Sequence, residues 1–340
     1  MATMRQIAAA AGVSAKTVSR VFNDDPHVLP ATRERVESIM RELDYVPNSL
    51  ATAFRSGRPS VIGVAVPDIV DPFFAEIARA VERTARDHDM STLVTSLGDD
   101  PDRERAVLEP MLRRQLAGVV LAPIGDDQSS LAAWASRTPF VFVDRAPGRL
   151  TADAFTQDDF GGAFAATTHL VEHGHRRIAF VGDQLALPTT AERLRGYRAA
   201  LTEAGLPADE GLIALGAATR EGAAGALAAI ASRATALFSS NAVCTMALLP
   251  ALAEQPLPLV AFGDFPLAEL LRPSVSVITQ DPEALGRLAA ERIIDRLDRP
   301  DARYRRSTVL PVHLVERDSC RAGAATPLSR AIAPGAPPPR

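Results

Sequence analysis

Apolar residues recur at helical spacing in three short runs near the start of the chain, then give way to continuous apolar runs of strand length separated by amphipathic stretches. In the first run Ile7, Ala8 and Ala11 share a face, Thr3 and Gln6 have capping-box spacing, and Gly12 ends the helix. Ser14 is a natural N-cap for a second helix through Phe22, with Val18, Val21 and Phe22 on one side and Ala15, Lys16, Ser19 and Arg20 on the other. A third helix, opened by Pro30 behind the poor cap Leu29, places Val36, Ile39, Met40 and Leu43 at i, i+3, i+4 and i+7. The three predict a small helical core. Asn48 can cap a further helix, SLATAFR, which is too short to be stable alone in water, before the linker Ser56, Gly57, Arg58 and Pro59.

From Val61 the pattern changes to VIGVAVPD, STLVTSLG, GVVLAPI and PFVFVDR, each followed by a helical stretch. After AFTQDD it resumes with a helix through His173, then RIAFVGD, LIALG, ALFSSN, LVAFGDF and SVITQD, and a helix from Pro282 to Leu297. Such runs between amphipathic helices predict parallel sheets covered on both faces. The units are too many for one open sheet, so an α/β body of two doubly wound lobes with a cleft between them is expected behind an all-α head. The boundaries are a helix-turn-helix domain at 1–47, a hinge helix and linker at 48–59, a two-lobed body at 60–320 and a disordered tail at 321–340, where Ala, Pro and Gly leave little to bury.

Charge sharpens this division. The chain carries 37 basic and 41 acidic residues, net −4. Residues 1–58 hold eight basic and six acidic side chains, which leaves −6 for the other 282 residues, and Lys16 is the only lysine. A basic head on an acidic body suggests that the head alone meets a polyanion. Helix, Gly-containing turn and second helix is the arrangement that sends its second helix into the DNA major groove. Cys244 and Cys320 are too few for a disulfide framework or a metal knuckle, which fits a reducing cytoplasm, and neither a signal peptide nor a membrane span is evident. His173 and His175 in EHGHRR read as a helix terminus with its cations, since no cysteine or carboxylate completes a metal set. No nucleophile elbow, P-loop, zinc-protease helix or dinucleotide fingerprint points to an enzyme.

Five stretches carry a family resemblance: IAAAAGVSAKTVSRVFN, TRERV with DYVPNSLA, IGVAVPDIVDPFFAEI, GHRRIAFVGD and ERLRGYRAAL. With these the chain resembles the lactose-repressor (LacI/GalR) family of bacterial transcription regulators over nearly its whole length. The resemblance implies a periplasmic-binding-protein-like body and a cytoplasmic repressor without cofactor, metal or membrane partner. It would bind a palindromic operator in double-stranded DNA as a homodimer, with a tetramer as the larger alternative, under a sugar-type effector. Carried over by residue, it implies base contacts from Ala15, Lys16 and Arg20 and phosphate contacts from Ser14, Thr17 and Ser19. Asn23, Leu50, Ala51 and Phe54 complete the DNA surface, Phe54 standing where members present a groove-opening leucine.

The effector positions implied in the same way are Phe73, Asp144, Arg193, Asn241 and Asp264. Ala261-Phe262-Gly263-Asp264 departs from the family's Gly-Tyr/Phe-Asp-Asp, so the first carboxylate is missing, and Asp264 either substitutes for it or only caps the turn. Two rival readings are a solute-binding protein with a helical appendage, which lacks an export signal, and a sugar-processing enzyme, which lacks a catalytic constellation.

Overall fold

The computed structural model describes residues 3–22, 25–45 and 60–321, and the chain divides after Pro59 into two compact units. The expectations for the hinge at 48–59 and for the tail beyond 321 lie outside the described residues.

In the first unit α1 (Met4–Ala11) begins with the reciprocal capping box of Thr3 and Gln6 and ends at Gly12, whose φ of 62° is the left-handed conformation that glycine adopts without a Cβ penalty. Helix α2 (Ala15–Phe22) starts where Ser14 Oγ accepts from Thr17 N at 3.0 Å. Helix α3 (Pro30–Glu42) opens on proline with no side-chain cap from Leu29. Ile7, Ala8, Ala11, Val18, Val21, Val28 and Val36 form the buried core, with Ile39, Met40 and Tyr45 at its edge. The fourth position expected on α3 is corrected: Leu43 caps the helix and is 40% exposed, because the helix stops at Glu42 and Asp44 turns the chain with a positive φ.

The second unit holds two six-stranded sheets. The first contains β1 (Val61–Val66), β2 (Ser91–Ser96), β3 (Gly118–Leu121), β4 (Phe140–Asp144), β5 (Asp153–Gln157) and β11 (Ser307–Leu310) in the order β11-β5-β4-β3-β1-β2. The second contains β6 (Ile178–Val181), β7 (Ile213–Ala214), β8 (Ala236–Ser239), β9 (Leu259–Phe262), β10 (Ser276–Thr279) and β12 (His313–Val315) in the order β12-β10-β9-β8-β6-β7. The continuous apolar runs have a simple cause. On β4, Val141 and Val143 enter the core beneath α4 (Pro72–Arg86) and α11 (Pro282–Asp298), while Phe140 and Phe142 enter the one beneath α5 (Pro101–Leu112). Both faces are buried, so no polar alternation survives.

Helices α7 (Asp159–Glu172) and α8 (Pro188–Glu203) pack on one face of the second sheet, and α9 (Arg220–Ile230) and α10 (Ala242–Glu254) on the other. The chain passes between lobes three times, after β5, after β10 and after β11. Three differences from the sequence reading stand out. The edge strands β11 and β12 lie beyond the last expected helix, in an apolar stretch over 309–315 that Pro311 interrupts, and β12 lies antiparallel to β10. The helix expected between β3 and β4 is a single turn, α6 (Ala132–Ala135), after a 3-10 turn. The strand expected at LIALG is two residues long.

The end of α7 calls for a further correction. Along the chain Glu172 is the one carboxylate beside His173 and no cysteine is near, but the fold brings Glu316 and Cys320 to His169 and His173 from almost 150 residues away. His175 is not in that group. No helix among the described residues is long and apolar enough to cross a membrane.

Candidate functional site

Two surfaces carry the side chains singled out by sequence, one in each unit. On α2, Ser14, Ala15, Lys16 and Arg20 are exposed, and Thr17 and Ser19 half-buried, while Val18 and Val21 on the opposite side hold the helix to the core. The Ser14 and Thr17 hydroxyls lie 2.9 Å apart and pair with each other. Arg20 Nε donates to Asp25 Oδ2 at 2.7 Å, and Asp25 also accepts from His27 N at 2.9 Å. The hydrogen bond from Arg20 holds the Asp25 carboxyl far below the usual carboxylate range and raises Arg20 in turn. Among the described residues Arg20 is bound through Nε, and its two terminal nitrogens have the geometry for a planar acceptor pair such as guanine O6 and N7. Asn23, Leu50, Ala51 and Phe54 lie outside the described residues.

In the second unit the C-terminal ends of the parallel strands and the first turns of the following helices converge on a cleft of about 360 Å³. Phe73, Asp144, Arg193 and Asn241 all line it. Phe73 follows Asp71, which caps α4 by accepting from Phe73 N at 2.9 Å, and its ring meets Phe74 edge-on with centroids 5.2 Å apart. Asp144 ends β4 with φ of 65°, a costly conformation for a residue with a Cβ and one that concentrates at functional positions. Its Oδ2 lies 3.2 Å from Arg145 Nε, and Arg145 also donates to the Pro123 carbonyl at 2.8 Å. Asn241 caps α10 by accepting from Cys244 N at 2.7 Å, which leaves its amide nitrogen as a donor. Cys244 itself is no nucleophile, because burial pushes its thiol up to about 12.

Arg193, on α8, is only 5% exposed. Its Nε donates to Asp159 Oδ1 at 2.7 Å, its Nη1 to the Ser240 carbonyl at 2.7 Å, and its guanidinium stacks 3.8 Å above the Phe262 ring. Asp159 opens α7. Burial pushes its carboxyl up to about 6; Arg193 opposes the shift and Asp144 adds to it. The cleft carboxyls Asp71 and Asp183 are likewise raised by burial.

Asp264 is corrected. It lies outside the cleft lining, in an adjoining depression, and both of its oxygens are taken by Arg317, at 2.6 and 3.1 Å. At Gly263, φ is 84° and an added Cβ would meet Gln280 Oε1 at 2.8 Å. Gln280 lines the cleft and donates to Gln157 across two of the crossings between lobes. An amide therefore stands where the missing carboxylate was sought. Sequence reasoning also overlooked Arg145, Asp183, Gln184 and Thr189 in the lining. The signal for Arg145, Asp183 and Gln280 was present: each stands within two residues of the end of an apolar strand run, the position from which Asp144 and Asn241 were read. Acceptors, donors and an aromatic face in one cleft suit a small hydroxyl-rich molecule.

Comparison with known proteins adds independent findings. Bacterial regulatory proteins of the lacI family match residues 3–48, and a periplasmic binding protein-like domain matches residues 167–320. The ribose operon repressor of Escherichia coli K12 is 30% identical, covering 94% of this chain and all of its own length. The transcriptional regulator GalR of Salmonella typhimurium LT2 is 30% identical over 86% of this chain and 88% of its own. Among solved structures, a lac repressor dimer bound to operator and the anti-inducer ONPF superposes with a TM-score of 0.83 at 25% identity, over 94% of this chain and 99% of that one. A lacI-family regulator from Enterococcus faecium with bound ribose gives 0.70 at 25% identity, over 77% and 99%.

Proposed function

The chain belongs to the lacI family of bacterial regulatory proteins, and from that premise we propose that it is an operator-binding repressor whose hold on DNA is set by a small hydroxyl-rich effector, of the sugar type, in the cleft between its lobes. The observation that carries the effector half is the cleft itself, where Asp144, Arg193 and Asn241 meet beside the Phe73 ring. In this reading the carboxylates accept from ligand hydroxyls, the arginine and amides donate, and Phe73 covers an apolar ring face. Asp71, Arg145, Asp183 and Gln280 complete the set.

In the DNA half, Lys16 and Arg20 donate to base edges, Ala15 touches a thymine methyl, and Ser14, Thr17 and Ser19 hold phosphates. Asn23, Leu50, Ala51 and Phe54 extend the contact toward the minor groove. Two copies engage a palindrome in successive major grooves. Effector binding changes the angle between the lobes and so the DNA affinity, a coupling of about 1–3 kcal/mol.

Gel-shift titration of duplexes from upstream of the protein's own coding region, over a salt series and with a sugar panel, tests both halves. A preferred duplex bound about 1,000-fold or more tightly than random DNA, and altered by one sugar, supports the reading. Indifference to duplex sequence would favour a solute-binding protein, and turnover of a sugar would favour an enzyme.

A further inference from the structure

Away from the cleft, the end of α7 and the segment after β12 bring together four side chains to which the DNA and effector reading gives no task. His169 and His173 stand four residues apart on one side of the helix, with ring centroids 4.2 Å apart. Cys320 Sγ lies 3.2 Å from His169 Nε2 and 4.0 Å from His173 Nε2, and Glu316 Oε1 lies 3.7 Å from His173 Nε2. One ligand atom from each of the four falls within 4.8 Å of all the others. We propose that His169, His173, Glu316 and Cys320 form a four-coordinate site for a zinc-class divalent metal ion, which fastens the C-terminal segment of the second lobe to α7.

Three features carry this beyond a chance cluster. The first is spacing. Tetrahedral zinc, with Zn–N of about 2.0–2.1 Å and Zn–S of about 2.3 Å, needs neighbouring ligand atoms about 3.3–3.7 Å apart, close to the separations here. The second is orientation. His173 Nδ1 lies 2.9 Å from the His169 carbonyl, which only accepts, so Nδ1 holds the proton and the Nε2 lone pair faces Cys320 and Glu316. The third is charge and access. A thiolate and a carboxylate neutralise a divalent cation, Cys320 and His169 are buried, and Glu316, 44% exposed, leaves an open side for entry. On binding, the thiol proton passes to solvent and the imidazoles bind neutral.

Mixed thiolate, imidazole and carboxylate donors favour zinc over magnesium or calcium. Helix α7 also begins at Asp159, the partner of Arg193 in the cleft, so the metal would anchor the far end of the helix that positions a cleft arginine.

The full-length chain, stripped with chelator and titrated with Co²⁺, tests the site. The expected result is one equivalent bound, with a thiolate-to-cobalt charge-transfer band, strong visible bands of tetrahedral cobalt, and loss of both on adding Zn²⁺. Zinc at 100-fold excess over its Kd should raise the melting midpoint by about 5 °C. Cys320→Ser should abolish the charge-transfer band. His173→Gln and Glu316→Gln change partly exposed positions that the fold tolerates, and should weaken binding more than about 10-fold with unchanged circular dichroism. Pale octahedral cobalt without the charge-transfer band, or equal binding by wild type and His173→Gln, overturns the proposal; either result leaves the DNA and effector reading untouched.

Discussion

Replacing Arg193 by methionine keeps an unbranched stem but removes the guanidinium, and with it every donor, from a side chain that is 5% exposed. Asp159 loses its counter-charge, the Ser240 carbonyl loses a donor and the Phe262 face loses its cation. In the wild type Asp159 titrates at about 6 rather than at the ordinary 3.8, so the folded chain binds that proton more tightly than the unfolded chain does. Its contribution to stability is therefore fully present below about pH 4 and falls by about 3 kcal/mol as pH rises through 6, at about 1.4 kcal/mol per unit. Without Arg193 the folded value moves higher still, and stability keeps falling beyond pH 6.

The deficit of Arg193→Met should thus be smallest near pH 5, about 2 kcal/mol, where Asp159 is protonated and the Ser240 bond, the Phe262 stacking and the guanidinium packing are missed, and larger by about 2 kcal/mol at pH 8, where the buried carboxyl also lacks its counter-charge. Urea unfolding followed by circular dichroism at both pH values measures it. The double variant Arg193→Met/Asp159→Asn should recover most of the loss at pH 8. A deficit equal at the two pH values, or a double variant no more stable than the single one, refutes the pairing as the source of the effect.

Other outcomes follow from particular contacts. Arg20→Ala should weaken binding to the preferred duplex about 5- to 150-fold while leaving random DNA nearly unaffected; equal losses on both would assign Arg20 to phosphates. Asp144→Asn should reduce the effector-induced thermal shift without changing DNA binding in the absence of effector, as read by calorimetry and gel shift. Gly263→Asp, which supplies the carboxylate that the family resemblance leads one to expect there, should destabilise the body and not improve effector binding, since φ is 84° and the new Cβ would stand 2.8 Å from Gln280 Oε1. A Cβ at Gly196 would lie 2.3 Å from the Phe160 carbonyl, so Gly196→Ala should part α7 from α8 and cost about 1–3 kcal/mol in urea unfolding.

Much of this protein is written locally. The capping box at Thr3, the left-handed stop at Gly12 and the apolar side of α2 each depend on residues within one or two turns, so their pattern survives in the bare chain. The same holds for the strands buried on both faces, whose unbroken runs of Val, Ile and Phe allow no other reading, and for Asp144 and Asn241, which stand where those strands end. What the chain order conceals is anything made by distant partners. The edge strands β11 and β12 go to different lobes because β5 and β10 offer open hydrogen-bonding edges there, which their own short apolar stretch does not reveal.

Asp264 looked available until the return of the chain at Arg317 claimed it, and Gln280 gained its place only when the lobes set it against Gln157. Cys320 and Glu316 reach His169 and His173 after two further passages between lobes. Periodicity records which face a residue turns toward the core. Only packing decides which distant side chain waits on that face, because the partner's charge, reach and burial are properties of the folded surface and not of the neighbours in sequence.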